Sequence, residues 1–275
     1  MSARPQGMFV DSLQPPIRGL IVDMDGVLWK DSVPIGDLPT VFHAVESRGL
    51  KIVLATNNAT MTVAENLTKL SGFGVKLEPW QIVTSAEAVA RALSLRFPDR
   101  GAVFVVGEDG VRSALTAQGF RVVGDLIDDP TVVAVVAGLD RGLTFQKLRQ
   151  ATSYIRSGAA FYGTNPDTTF PTPGGLIPGA GAILSALAAA SETAPIVVGK
   201  PAPYLFELAL ERMQLLKDQV LVVGDRLETD VDGGEAWGVR TALVLSGVSK
   251  REQLLGRQRQ PDLVAADLTE LVCPQ

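Results

Sequence analysis

A single cysteine and a single histidine stand in this chain of 275 residues, and each scarcity closes off chemistry. Cys273 has no second thiol to meet, so no intramolecular disulfide can form and a reducing compartment is expected. The lone His43 removes most Ser–His nucleophile schemes and the multi-His zinc sites. It falls in Thr40–Arg48, a predicted helix, as a surface or half-buried residue. Positive charge is also in short supply. The net charge of −5 argues against nucleic-acid binding, which needs a basic face. An acidic protein that handles anions must instead concentrate positive charge locally, through a metal or a placed lysine. No apolar run approaches the ~20 residues needed to span a bilayer. Met1–Pro16 lacks the apolar stretch of a secretory signal. The expectation is a soluble, cytoplasmic protein with neither nucleic acid nor membrane as partner.

What is present is a core-forming composition, 46% hydrophobic against 20% charged, long enough for one large domain or two. Strand and helix patterns alternate almost throughout, the signature of βαβ units around a parallel sheet. Phe97–Gly101 reads as a linker, and a second alternating block follows it, with strands at Ala102–Val106 and Thr131–Ala137. Gly163–Gly181, rich in Gly, Pro and Thr, reads as a long ordered loop. Gly179-Ala180-Gly181 is an incomplete G-x-G-x-x-G and is taken as turn chemistry before an Ala-rich helix. Asp109 and Asp140 follow apolar runs without matching partners and are read as structural.

Four apolar runs end on polar residues suited to phosphoryl chemistry. They are Leu20–Val22 before Asp23-Met24-Asp25-Gly26, Ile52–Ala55 before Thr56-Asn57-Asn58, Ile196–Gly199 before Lys200, and Val220–Gly224 before Asp225. In an open parallel sheet, ligands bind beyond the carboxyl ends of the strands. These ends could gather carboxylates, a hydroxyl and an ammonium into one cleft. They fall before residue 60 and after residue 195, so a core built from both chain ends is expected, with a smaller domain inserted between.

The residue types give each segment a chemical reading and a plainer alternative. Asp23 and Asp25 would repel unless a cation or a proton separated them. One could be nucleophile and the other proton donor, or the pair is an acidic turn. Asp225 reads as a metal ligand, and hard oxygen donors without His or Cys select Mg²⁺ over zinc. Asp230, near the start of the next helix, could instead serve only the helix dipole. Thr56-Asn57-Asn58 suits an anion at a helix start or is a plain N-cap. Lys200, followed by Pro201, either faces an anion or snorkels at the surface.

Together the segments resemble the haloacid dehalogenase superfamily: an apolar strand then D-x-D-G, a second strand ending in Thr, a distant Lys, and G-D-x-x-x-x-D. Ala55–Asn58, Gly163-Thr164-Asn165-Pro166-Asp167 and Gly199-Lys200-Pro201 narrow the resemblance to its NagD and p-nitrophenylphosphatase-like branch, from about Ile17 onward. The resemblance implies an α/β fold: a Rossmann-like, doubly wound parallel-sheet core over 1–90 and 195–275, with a large α/β cap over 91–194. It implies a phosphatase of small phosphorylated metabolites. Asp23 would form an aspartyl-phosphate, and Asp25 would act as acid and then base. Mg²⁺ would be held by the Asp23 carboxylate, the Asp25 carbonyl and Asp225, with Asp230 in support. Thr56, the Asn57 backbone and Lys200 would bind phosphoryl oxygens. Thr164, Asn165 and Asp167 of the cap are the candidates for reading the leaving group, and members of this branch are often dimers, so a homodimer through the cap is possible. A phosphotransferase or phosphomutase would use the same Asp23, and an inactive phosphate-binding module is the reading from another class. Sugar phosphates, nucleotides and phosphoglycolate are the candidate substrates.

Overall fold

The computed structural model describes residues 10–125, 127–172 and 174–273, so the first nine residues of the Met1–Pro16 reading lie outside the described ones. The chain forms two compact units, one of Met1–Thr56, Leu67–Val83 and Phe206–Gln275, the other of Asn57–Asn66 and Thr84–Leu205. These bounds differ at their edges from the expected split. The helix at Ser85–Arg96 packs on the one at Asp109–Ala117. Ile196–Val197 pairs with Tyr162-Gly163. Both pieces therefore belong with the second unit. Among the described residues, no helix is long and apolar enough to cross a membrane.

In the first unit, strand β1 (Gly19–Val22) leads through a small hairpin, β2 (Trp29–Lys30) and β3 (Val33–Pro34), into helix α1 (Leu38–Ser47). Asp37 caps α1 by accepting the Thr40 N–H, and His43 lies exposed on it. Strand β4 (Lys51–Thr56), helix α2 (Val63–Gly72) and strand β5 (Ile82–Thr84) follow, and helix α3 (Ser85–Arg96) leads into the second unit. The chain returns to the first unit along helix α7 (Tyr204–Met213) to β13 (Val220–Gly224), α8 (Asp232–Trp237), β14 (Arg240–Val244), β15 (Leu263–Ala265) and α9 (Leu268–Val272). The sheet order is β15-β14-β13-β1-β4-β5. Registers are parallel from β15 through to β4. Every residue of β1 and β13 is buried, as continuous apolar runs in a sheet covered on both faces should be. Each buried Leu, Ile or Val contributes roughly 1.5–3 kcal/mol. The chain steps outward from β1 to β4 and β5 on one side and to β13, β14 and β15 on the other. That reversal beside β1 is the switch point where such sheets open a crevice.

The second unit is another parallel sheet, in the order β12-β9-β8-β6-β7. Its strands are β6 (Ala102–Val106), β7 (Arg121–Val123), β8 (Val132–Ala137), β9 (Ala160–Gly163) and β12 (Ile196–Val197), interleaved with α4 (Asp109–Ala117), α5 (Phe145–Arg156) and α6 (Ala180–Ser191). Phe104, Val135, Tyr154, Phe161, Leu184 and Leu187 meet in its core. The stretch expected as a loop contains a hairpin, β10 (Thr169–Thr172) paired antiparallel with β11 (Gly175–Pro178). Its strands are too short, and too rich in Thr, Pro and Gly, to give an apolar alternation.

Acids beyond β6 and β8 are neutralised within this unit. Arg141 grips Glu108 through Nε (2.7 Å) and Nη2 (2.6 Å), and these bonds hold the Glu108 carboxyl below its usual range. Buried Asp140 takes Lys147 Nζ at 2.9 Å, which fits its structural reading. Hydrogen bonds from Thr131, then from Arg121, lower the Asp129 carboxyl to about 2.

Candidate active site

Asp23 is the first residue past β1, and its N–H donates to the Val223 carbonyl at 2.8 Å, continuing the β1–β13 ladder. Asp225 is the first residue past β13. Adjacent parallel strands thereby place the two acids side by side. Asp230 joins them from a π-helical turn, Leu227–Val231, in which both the Asp230 and Val231 amides donate to the Arg226 carbonyl. Such turns recur at functional sites because they re-aim a side chain. Carboxylate oxygens of Asp23, Asp225 and Asp230 all lie within 4.8 Å of one another. Asp225 and Asp230 are 1% exposed and Asp23 is 9% exposed, so the charges are drawn out of water. Three carboxylates so placed, with no nitrogen or sulfur donor among them, fit a hard divalent cation such as Mg²⁺.

Two glycines permit the packing around Asp225. Gly26 has φ +86°, and a Cβ there would stand 2.5 Å from an Asp225 carboxylate oxygen. At Gly247 it would stand 1.9 Å from the same oxygen. Gly247 belongs to a loop that sequence reasoning missed. The Val248 N–H donates to Asp225 Oδ2 (2.7 Å), the Ser249 N–H to the Asp225 carbonyl (3.0 Å), and Ser246 Oγ to the Gly26 carbonyl (2.7 Å). The loop buttresses both acidic segments. Its signal, Ser and Gly after the strand β14, is too common to have marked it.

Asp25 is exposed and is held differently. Residues 24–29 form a tight turn, with the Leu28 N–H donating to the Met24 carbonyl at 2.8 Å and the Gly26 N–H to the Trp29 carbonyl at 2.7 Å. This curl returns the Trp29 indole beneath Asp25, and Nε1–H donates to Asp25 Oδ1 at 2.8 Å. Trp29 is 2% exposed; Phe73 packs on it at 5.8 Å and the Lys69 ammonium sits 4.0 Å from its ring centre. Burial pushes the Lys69 ammonium below its usual range, against the opposing pull of Asp25 and Asp31.

Thr56 closes β4 and is 3% exposed. The next residue, Asn57, begins a segment of the second unit. There its side chain clasps the Lys200 backbone from both sides, accepting the Lys200 N–H at 2.7 Å and donating to the Lys200 carbonyl at 3.0 Å. The Asn57 carbonyl in turn accepts from Ser85 Oγ (2.7 Å) and Asn165 Nδ2 (2.8 Å). Lys200, 2% exposed, is thus held by three polar side chains: Asn57 directly, and Ser85 and Asn165 through it. Of the three residues expected to read the leaving group, Thr164 is fully buried, packed against Gly138, and Asn165 is 7% exposed. Asp167 is half-buried, with its N–H donating to Asn165 Oδ1 at 3.1 Å. Asn165 is therefore placed to support the Lys200 segment, a link that no local pattern could have announced.

Comparison with known proteins converges on one family. A model described as haloacid dehalogenase-like hydrolase matches residues 20–121, and one described as HAD-hydrolase-like matches residues 197–271. The chain is 35% identical to the acid sugar phosphatase of Staphylococcus haemolyticus, over 91% of this chain and 94% of that protein. Among solved structures, NagD from Escherichia coli K-12 superposes with a TM-score of 0.84 at 31% identity, covering 93% of this chain and 98% of that one. The glycerol phosphate phosphatase of Mycobacterium tuberculosis, solved in complex with magnesium, gives 0.86 at 32% identity, covering 94% and 77%.

Proposed function

The chain belongs to the haloacid dehalogenase-like hydrolases, as a NagD-like phosphatase, and on that premise we propose that it is a Mg²⁺-dependent phosphomonoesterase for a small phosphorylated metabolite, a sugar phosphate first among the candidates, working through an aspartyl-phosphate on Asp23. The observation that carries this reading is the buried trio of Asp23, Asp225 and Asp230, whose oxygens converge within 4.8 Å at the switch point of the first sheet. The name of the staphylococcal relative supports the substrate class.

Asp23 attacks phosphorus in line, and its new O–P bond forms as the bond to the leaving oxygen breaks. Asp25 gives its proton to that oxygen, so the product leaves as a neutral alcohol. In the second half, Asp25 takes a proton from water as the water oxygen bonds to phosphorus. The aspartyl O–P bond breaks, inorganic phosphate leaves, and both carboxyls return to their starting states. Thr56, the Asn57 backbone and Lys200 are assigned to the phosphoryl oxygens, where charge spreads in the transition state. Their order in the family pattern and the tight hold on the Lys200 backbone support that assignment. The Asp23 and Asp225 carboxylates and the Asp25 carbonyl would hold Mg²⁺, with Asp230 in support; when bound, the ion neutralises phosphoryl charge. Thr164, Asn165 and Asp167 are retained as specificity candidates, acting through the segment that carries Lys200.

Phosphate release from a panel of phosphomonoesters, with and without Mg²⁺, tests the proposal. Mg²⁺-dependent release that vanishes in Asp23→Asn is expected. Release that is independent of divalent cations, or that survives in Asp23→Asn, overturns it.

A further inference from the structure

We propose that Trp29 is a positioning residue for the acid step, its indole N–H fixing the Asp25 carboxyl so that the free oxygen delivers the proton to the leaving group. The inference rests on the acid–base role given to Asp25 above.

Three observations carry it. First, the bond from Nε1 to Asp25 Oδ1 is 2.8 Å long and joins a buried donor to an exposed carboxyl. A flexible two-torsion side chain at the surface would otherwise sample several rotamers. A donor on Oδ1 selects one of them and leaves Oδ2 as the oxygen that carries the transferable proton. Second, the indole cannot move away. Phe73 packs on it, Lys69 sits 4.0 Å from its ring centre, and the Lys69 ammonium is itself tied to the Asp31 carbonyl at 3.0 Å. A cation over an indole face adds attraction that a plain apolar neighbour lacks. Third, the backbone ties Trp29 to Asp25 in register, through an isolated bridge between the two residues and the bond from Gly26 N–H to the Trp29 carbonyl. Indole offers only a donor, so no rearrangement turns this contact into a competing acceptor for the Asp25 proton. Phenylalanine would fill most of the same space and donate nothing.

The readout that separates positioning from packing is the leaving group. An alkyl phosphate expels a strongly basic alkoxide and depends on the proton from Asp25. p-Nitrophenyl phosphate expels a stable phenolate and depends on it little. Asp25 also serves as base in the second half, which both esters share. The comparison is therefore made in kcat/KM, which reads only the steps through departure of the leaving group. There Trp29→Phe is expected to cost about tenfold or more on a sugar phosphate and less than about threefold on p-nitrophenyl phosphate. Asp25→Asn, run beside it, should show the same selectivity with a larger loss. Equal losses on both esters in Trp29→Phe, or no loss on either, beside a selective loss in Asp25→Asn, overturns the role of Trp29 alone. Wild-type turnover of both esters by Asp25→Asn overturns the acid assignment itself and Trp29 with it.

A second measurement avoids dependence on a core variant. The chain has three tryptophans, so its indole N–H signals in a ¹⁵N spectrum are assigned by Trp80→Phe and Trp237→Phe. The Trp29 signal is expected to move in Asp25→Asn, when a charged acceptor becomes a neutral one. An unmoved signal overturns the proposal.

Discussion

Both units contain a parallel sheet with acids just beyond the carboxyl ends of neighbouring strands, and they use them in opposite ways. In the second unit Glu108 follows β6 and Asp140 follows β8. Each is answered at once by a cation from its own unit, Arg141 at 2.6 Å and Lys147 at 2.9 Å. In the first unit Asp23 follows β1 and Asp225 follows β13. There the structure adds a third carboxylate, Asp230, within 4.8 Å. The parallel arrangement is alike, but one sheet sets a basic side chain against each of these acids and the other brings three carboxylates together. An acid at a strand end is thus no marker of a site by itself. What marks the site is convergence, together with glycines such as Gly26 and Gly247 that let backbone approach the cluster.

The sharpest test of that contrast exchanges one carboxylate for its amide in each sheet. Asp23→Asn is expected to lower turnover by about 10⁴-fold or more, as removal of a nucleophile does elsewhere. Asp140→Asn should leave turnover of the folded protein unchanged. Phosphate release from equal amounts of folded protein reads both, and a large loss in Asp140→Asn would break the comparison. Next in size, Asp225→Asn should weaken Mg²⁺ binding by about 100-fold, the upper range for groups that support a metal. Titration calorimetry measures this directly, and a variant that binds like wild type would place the ion elsewhere.

Smaller effects belong to stability. Asp140→Ala leaves Lys147 without its closest carboxylate, and Asp140 itself is 3% exposed by side chain. Breaking so buried a pair should cost about 3 kcal/mol, read as a lower urea midpoint with unchanged slope. The least effect concerns acid. The Asp129 carboxyl is held at about 2 against an ordinary 3.8. A group held low adds stability that is present above its ordinary value and lost as pH falls through the folded one. Wild type should therefore exceed Asp129→Asn in stability above pH 3.8, with the gap closing as pH falls toward about 2. Urea unfolding at stepped pH follows that gap, and a gap independent of pH would remove Asp129 from the acid response.

The sheet and the acidic cluster were legible because their signals are local. An apolar run ending in Asp or Thr announces a strand and its terminus within six residues, and two such runs fix the order of the chain around a switch point. The supports were not legible because they join residues far apart. Val248 reaches Asp225, Asn165 reaches Asn57, and Asn57 reaches Lys200 across 143 positions. Trp29 lies only four residues from Asp25, yet it reads as an ordinary apolar residue until the turn at 24–29 is seen. The hairpin at Thr169–Pro178 was hidden by short strands in a Gly- and Pro-rich setting. The acid at 140 reads only as structural in the sequence, because its partner Lys147 is brought to it by the first turn of α5.

The position of β1 also governs when the site can come into being. Its neighbour on one side, β13, lies about 200 residues downstream, with Gly19 facing Val220. The strands of the second sheet all lie between residues 102 and 197. Contacts that close long loops form late, so the inserted sheet can complete itself while β1, paired early with the nearby β4, still waits for β13. Pulsed hydrogen exchange during refolding should protect the amides of β6 and β8 before those that bond β1 to β13. The carboxylates then meet last, after the scaffold able to hold their mutual repulsion is already in place.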